Sequence, residues 1–294
     1  MRKSKLLLGL AVVAALGVFA TTARAATTAD VLIVVDESGS MSTEHAWIGG
    51  MVTSLDTALA SAGVTGNQYG LVGFGQINHA ANQVAHKHLV GGADFGTAAQ
   101  LATATGGLSL YGGLEDGYQA IDFALNNYSF RAGAALNVIL ITDEDRDVAS
   151  GAAGLNYNNI LAALDGKNAL LNAVVNASFV SGDGSAAGID GTDGYYADGS
   201  GGYTVSNAAT SNSGYGTTVA DYVDLAIESG GAAWNLNQLR AGGNAANSFT
   251  AAFVDIKVQE IIIQPPTNGT PDGGSTLVLL GAALAGFAAL RRKL

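Results

Sequence analysis

Two apolar, largely β-branched runs that each stop abruptly at a carboxylate constrain this chain more than any other feature. Val31-Leu32-Ile33-Val34-Val35 ends at Asp36-Glu37-Ser38-Gly39-Ser40, and Leu136-Asn137-Val138-Ile139-Leu140-Ile141-Thr142 ends at Asp143-Glu144-Asp145-Arg146-Asp147. Such runs are too short for buried helices, and without polar alternation they read as strands covered on both faces, the habit of parallel sheets. Each run therefore ends at a C-terminal strand edge, where open α/β sheets bind ligands. In a doubly wound sheet the two ends lie side by side across the switch point, bringing Asp36 and Asp143 to one crevice. Asp36 with Ser38 and Ser40 is a hard oxygen set suited to Mg²⁺, Mn²⁺ or Ca²⁺. Two plainer readings use the same residues: a polar turn capping the next helix, and an acidic helix start at Asp143, Asp145 and Asp147.

The rest of the chain alternates strands with helices. Thr43 to Ala62 carries Trp47, Ile48, Met51, Val52, Leu55 and Leu59 at helical spacing. Asn67 to Gly75 reads as a second strand, Val84 to Val90 as an antiparallel edge strand, Phe95 to Thr103 and Leu114 to Leu125 as helices, and Asn159 to Leu164 as a short helix. Ala169 to Phe179 reads as one strand and Ser181 to Gly216, rich in Gly, Asp and Tyr, as a long loop with a hairpin. Val219 to Ser229 and Ala246 to Ile262 are helical, flanking a short last strand over Gly230 to Asn235. Right-handed βαβ crossovers then predict an α/β fold: a doubly wound, mostly parallel sheet with helices on both faces and one antiparallel edge strand, within a single domain over residues 27–263.

Charge and termini bear on where the chain works. All 24 acidic residues lie between Asp30 and Asp272, an interval whose basic residues are only Lys87, Arg131, Arg146, Lys167, Arg240 and Lys257. So acidic a body argues against nucleic acid or an anionic membrane surface as partner, since phosphate binding needs a basic patch. Residues 1–25 combine a basic start, an apolar run and Ala23-Arg24-Ala25, the layout of a secretory signal peptide. There is no cysteine, so neither disulfides nor thiolate metal sites are available. At the other end all three prolines fall in Pro265 to Pro271, an extended linker, and the 264–274 stretch leads into a hydrophobic segment at 275–294. Leu277 to Leu290 is fourteen residues, short of the roughly 20 needed to span a bilayer, and is followed by Arg291-Arg292-Lys293. This tripartite tail resembles the PEP-CTERM sorting signals, most closely the Val-Pro-Asp-type variant (VPDSG-CTERM), with Thr270 in place of Val. The resemblance implies processing by an exosortase, a cell-envelope, cell-surface or extracellular-matrix location in a Gram-negative bacterium, and membrane contact only through the signal peptide and the C-terminal segment.

Asp36-x-Ser38-x-Ser40 after a strand, with Thr142-Asp143 after a second strand, resembles the metal-ion-dependent adhesion site (MIDAS) of von Willebrand factor type A (VWA) domains. The resemblance implies a Rossmann-like fold, one bound Mg²⁺ (or Mn²⁺ or Ca²⁺), and a partner whose oxygen completes the coordination. Glu144 stands where the family has Gly. The family's middle loop supplies a Thr after a Gly pair, yet here Gly106-Gly107 precedes Leu108 and Gly112-Gly113 precedes Leu114. Thr105 and Ser109 are near the first pair, and Glu115 follows the second as integrin-like members place a carboxylate. Glu115 is the favoured fifth ligand, with Asp116 next. A carboxylate there shifts preference toward Ca²⁺ or tighter binding and weakens the pull on an acidic partner.

Other residues carry weaker signals. His86 and His88 share one face of a strand, a Zn²⁺-type pair without an evident third ligand, and read as an exposed edge pair; His45 and His79 have no spacing partner. Asp183, Asp190, Asp193 and Asp198 fit no Ca²⁺-loop spacing and read as solvated loop, with Tyr195, Tyr196, Tyr203 and Tyr215 as contact residues. The chain has no G-x-S-x-G elbow, phosphate loop, H-E-x-x-H or G-x-G-x-x-G, so no enzyme is expected. The function expected is metal-dependent adhesion or binding of an extracellular protein or polysaccharide offering a carboxylate. The alternative is a structural component of extracellular matrix or biofilm in which the metal only stabilises the fold.

Overall fold

The computed structural model describes residues 26–75, 85–148, 152, 154–207 and 209–265. The 1–25 leader, His79, the linker beyond residue 265 and the C-terminal segment lie outside them. Strand β1 (Ala29–Asp36) leads into helix α1 (Ser42–Ser61), followed by β2 (Gln68–Phe74), the edge strand β3 (His86–His88), α2 (Ala98–Ala104) and α3 (Gly117–Asn127). Then come β4 (Ala135–Thr142), α4 (Tyr157–Gly166) and β5 (Ala169–Val175). Six short strands follow: β6 (Ala177–Ser181), β7 (Gly184–Ala186), β8 (Gly188–Ile189), β9 (Asp193–Ala197), β10 (Tyr203–Asn207) and β11 (Thr210–Gly214). A π-turn at Val219–Val223 opens α5 (Asp224–Glu228), and β12 (Ala233–Asn235), α6 (Leu236–Arg240) and α7 (Gly243–Ile263) complete the described chain.

Nine strands form one sheet in the order β10-β9-β8-β12-β5-β4-β1-β2-β3. The five central strands run parallel, with β1 between β2 and β4. Every residue of β1 and of β4 is buried, because the sheet is covered on both sides. Val31, Ile33 and Val35 pack with Ile48, Met51, Val52 and Leu55 of α1 and with Phe249 and Phe253 of α7. Leu32 and Val34 point the other way, toward Tyr118 and Ile121 of α3, Ile160 of α4 and Leu225 of α5. Alternate residues of a strand face opposite sides, so a run apolar at every position is what this two-sided burial requires. The doubly wound class expected from the sequence is the one observed.

Three expectations need correction. The sheet has antiparallel strands at both ends: β3 pairs with β2 as expected, and β8, β9 and β10 extend the opposite edge. Ser181 to Gly216 is largely strand. Its glycines supply turns, while Gly188 and Gly194 let Trp234 and Tyr196 lie directly against the backbone. Finally, Ala169 to Phe179 breaks at Asn176 into β5 and β6, which belong to different sheets, β6 pairing with β7 and β11. Helix limits shift modestly: α2 begins after Thr97, whose side chain forms a capping box with Gln100, and α4 begins after Asn156, whose side chain caps it. Among the described residues no helix is long and apolar enough to cross a membrane.

A buried polar chain crosses beneath the sheet at the two asparagines that interrupt β4 and β5. Lys257 Nζ of α7 donates to Asn137 Oδ1 at 2.9 Å and to Glu260 Oε2 at 2.6 Å, and Asn172 Nδ2 donates to the same Glu260 oxygen at 2.9 Å. Trp234 Nε1 donates to Asn172 Oδ1 at 2.8 Å, and Asn137 Nδ2 to Gln264 Oε1 at 2.7 Å. Lys257 is fully buried, which lowers its pKa against the opposing pull of Glu260. Removing one partner of a buried pair leaves the other uncompensated. Lys257→Met is expected to cost about 3 kcal/mol in urea denaturation; an unchanged midpoint would show that the pair does not matter to stability.

Candidate metal centre

The register of β1 against β2 and β4 sets the site. Val35 lies opposite Ile141 and Asp36 opposite Phe74, so the Asp36 to Ser40 turn and the Asp143 loop emerge next to each other. Asp36 is fully buried. Its Oδ1 accepts the Ser38 N–H at 2.7 Å and its Oδ2 accepts the Thr142 hydroxyl at 2.9 Å, while its carbonyl lies 2.7 Å from His45 Nε2. Ser38 Oγ and Ser40 Oγ are 3.0 Å apart, and Ser40 Oγ donates to Asp143 Oδ1 at 3.0 Å. The two loops are thus joined through hydroxyls, and neither plainer reading holds. Helix α1 is capped at Met41 with no side-chain bond. Asp143 opens no helix; Asp145 instead accepts the Thr217 N–H and hydroxyl.

The other ligand expected from the sequence, Glu115, flanks Asp36 across Gly75. A Cβ added at Gly75, where φ is +86°, would lie 3.1 Å from Asp36 Oδ1 and 3.5 Å from Glu115 Cγ. The Gly113 N–H donates to the Gly75 carbonyl at 2.9 Å and holds the Glu115 loop there. Asp116, the second choice, is engaged elsewhere: it caps α3 through the Gln119 N–H and takes Arg146 Nε at 2.8 Å. Thr105 donates to the Ala102 carbonyl. Among the described residues, the carboxylates of Asp36, Asp143 and Glu115 do not close to within 4.8 Å of one another as the Glu37, His86 and His88 donors do. The hydroxyls of Ser38 and Ser40 lie between the Asp36 turn and Asp143.

Electrostatically this is a buried acidic cluster short of positive charge. Burial pushes the Asp36 carboxyl up to about 7, with Asp143 adding to the effect against the hydrogen bonds from Ser38 and Thr142. Burial likewise pushes Glu115 up to about 8, reinforced by Asp36, Glu144, Asp147 and Asp143. A divalent cation would relieve both, so hard oxygen donors and frustrated charge together fit such an ion. One protein cation borders the set: Arg240 Nη2 donates to Asp143 Oδ2 at 2.8 Å and to the Ser40 carbonyl at 3.2 Å, and its Nε donates to the buried Glu44 at 2.7 Å.

Thr142, Glu44 and Arg240 were not legible as site residues. Arg240 had one available signal, being among the six basic residues of an acidic body. His86 and His88 are not the exposed pair without a third ligand that the sequence suggested. Their side chains are 15% and 16% exposed, and both meet Glu37. Asp190 and Asp198 cap their own turns. Tyr195 and Tyr196 are buried and Tyr203 is partly buried against the core, while Tyr215 is half exposed.

Residues 271–294 match the VPDSG-CTERM motif, so the chain carries a sorting signal of the PEP-CTERM type at its C terminus. No curated protein matches the chain. Among solved structures, proximal thread matrix protein 1 (PTMP1) from the mussel byssus is similar in two forms at 16% and 18% identity, each with a TM-score of 0.37 over 52% of this chain and 37% and 38% of that one. A third structure of that protein, with a zinc-occupied MIDAS motif, matches at 18% identity and a TM-score of 0.37, over 52% of this chain and 39% of that one. The chain thus spans less than two fifths of those chains.

Carboxyls whose folded pKa exceeds the unfolded value stabilise the fold at low pH and lose that contribution as pH rises through the folded value. With Asp36 and Glu115 raised to about 7 and about 8, the metal-free protein should lose stability between pH 5 and 9. The loss should be smaller in Asp36→Asn with Glu115→Gln and smaller in wild type with Mg²⁺ present. Urea midpoints in EDTA across that range check this; identical slopes in wild type and double variant would refute it.

Proposed function

We propose that the chain is an exported, envelope-associated binding protein rather than an enzyme. In this reading one divalent cation, Mg²⁺ or its Mn²⁺ or Ca²⁺ equivalents, is held by Asp36, Ser38, Ser40 and Asp143 with Glu115 alongside. The observation that carries the reading is the 3.0 Å bond from Ser40 Oγ to Asp143 Oδ1, which joins the two strand-end loops in one cluster of oxygen donors. A bound ion there supplies a Lewis-acidic position for an oxygen of an extracellular protein or polysaccharide. Thr142 and the Ser38 N–H orient Asp36, and Arg240 fixes Asp143 from outside. Support also comes from the rim: Leu110, Tyr111 and Leu114, on the loop leading to Glu115, are 38%, 74% and 40% exposed. Apolar side chains held in solvent beside polar donors suit contact with a ligand. The C-terminal motif supports processing by an exosortase and delivery to the cell surface.

The presence of Glu115 favours a second reading, in which a third carboxylate neutralises the ion and the metal clamps the loops of a matrix component. Chelation separates the two. Wild type should bind Mg²⁺ in calorimetry and Asp36→Ala should not; equal or absent binding in both would sink the metal site. EDTA should abolish retention of the chain on isolated cell-surface matrix, whereas unchanged retention at temperatures where the fold survives would favour the clamp.

A further inference from the structure

Asp36 and Glu37 are consecutive, and consecutive residues at a strand end face opposite ways. Asp36 turns to Asp143, and Glu37 turns beneath β2 and β3. The β2–β3 register sets His86 across from Gly73 and His88 across from Leu71, so both imidazoles project on one face toward Glu37. His86 Nε2 lies 3.0 Å from Glu37 Oε2, His88 Nε2 lies 3.1 Å from Glu37 Oε1, and the two ring nitrogens are 3.2 Å apart. Bonds of about 2.0–2.1 Å to a tetrahedral ion set neighbouring ligand atoms about 3.3 Å apart. His86 stands at nearly that spacing from one Glu37 oxygen and His88 from the other, and one donor atom from each of the three residues lies within 4.8 Å of the other two.

A cluster held by hydrogen bonds alone explains this arrangement less well. Protons on both Nε2 atoms would crowd each other at 3.2 Å, and a bare Nε2 on either ring would set its lone pair against a carboxylate oxygen at 3.0 or 3.1 Å. A shared cation instead receives all three lone pairs. The surroundings are built for the cluster. Glu37 is fully buried, and its Oε1 also accepts the Ser109 N–H at 2.7 Å. The Ser109 hydroxyl is itself buried and makes no hydrogen bond among the described residues. At Gly73 any Cβ would fall 2.3 Å from Glu37 Oε2 and 2.8 Å from His88 Nε2, so the backbone there leaves room only for the cluster. The imidazoles are partly exposed, so the cluster is within reach of solvent.

We infer that Glu37, His86 and His88 form a second cation site, separate from the Asp36 set and selective for a borderline transition ion of the Zn²⁺ class over Mg²⁺ and Ca²⁺. Imidazole nitrogens suit Zn²⁺ and its neighbours, whereas Mg²⁺ and Ca²⁺ take oxygen. The ion fastens edge strand β3 and the Ser109 segment to the end of β1. The site shares no ligand with the Asp36 pocket, so either can fail without the other.

The test titrates Zn²⁺ into the full chain by calorimetry in millimolar Mg²⁺, with Co²⁺ as the optical probe. Wild type and Asp36→Asn should each take up one equivalent of Zn²⁺ under excess Mg²⁺, and Co²⁺ should give the intense visible bands of four-coordinate geometry. His86→Asn and His88→Asn should each weaken Zn²⁺ binding about 100-fold or more, with circular dichroism verifying the fold. Weak, six-coordinate Co²⁺ bands in wild type would overturn the site. So would Zn²⁺ uptake that is absent in wild type, survives both histidine variants, or is lost in Asp36→Asn alone. Because the wild-type Co²⁺ spectrum decides by itself, a variant that fails to fold does not rescue the claim.

Discussion

The parallel pairing of β1 with β4 is the contact on which the rest depends. Seven residue pairs, from Ala29 with Ala135 to Val35 with Ile141, lock two fully buried strands in a register that ends both at the same edge. A slip of one residue would turn every side chain to the wrong face and exchange the helix layers that cover them. With the register set, the bond from Ser40 to Asp143 becomes a local event although the two residues are 103 positions apart. Nothing in either loop could achieve this alone. Short polar turns have no reason to meet unless buried strands carry them to one place.

The strand ends were readable because burial on both faces leaves a plain mark, an unbroken apolar run, and because a carboxylate cannot follow it into the core. Convergence of Asp36 with Asp143 follows from topology alone. What the sequence could not supply was the direction of residues between recognised positions. Glu37 looked like a spacer in Asp36-x-Ser38, yet strand-end alternation aims it at His86 and His88. Those histidines looked partnerless because their third neighbour lies 51 positions from His88. The Ser181 to Gly216 stretch misled for a related reason. Gly, Ser and Asp suit turns, but strands of two to five residues carry too few apolar positions for a period to show. Asn137 and Asn172, single polar breaks in apolar runs, were the visible trace of the Lys257 network without indicating what they bond.

Charge in this molecule is arranged by burial more than by number. Glu37 and Asp36 are neighbours, both fully buried, yet they titrate in opposite directions. Burial raises both, but in the metal-free protein the contacts of Glu37 with His86, His88 and the Ser109 N–H outweigh it and hold the carboxyl at about 2. Around Asp36 the hydrogen bonds do not. Arg240 pairs with both Asp143 and Glu44. The pocket left short of compensation is the one bounded by Asp36 and Glu115.

The nine-stranded sheet hangs on its shortest parallel member. Strand β12 has three residues, yet it carries the hydrogen bonds between the parallel core and the β8-β9-β10 extension, pairing three residues with β5 and two with β8. Trp234 at its centre compensates for so few backbone bonds. Its ring stacks on Tyr195 at 5.5 Å and meets Phe249 and Phe253 edge-on, while its N–H is tied to Asn172. Backbone pairing this sparse marks a natural line of partial opening, held shut by side chains: Tyr195 and Tyr203 pack in the core with Phe249 and Phe253, and the Tyr203 hydroxyl donates to Asp255. Amides of β8, β9 and β10 should then exchange with solvent as a group, at a free energy below that of the global unfolding which alone exposes β1 and β4. The domain would behave mechanically as a rigid core with a detachable flap.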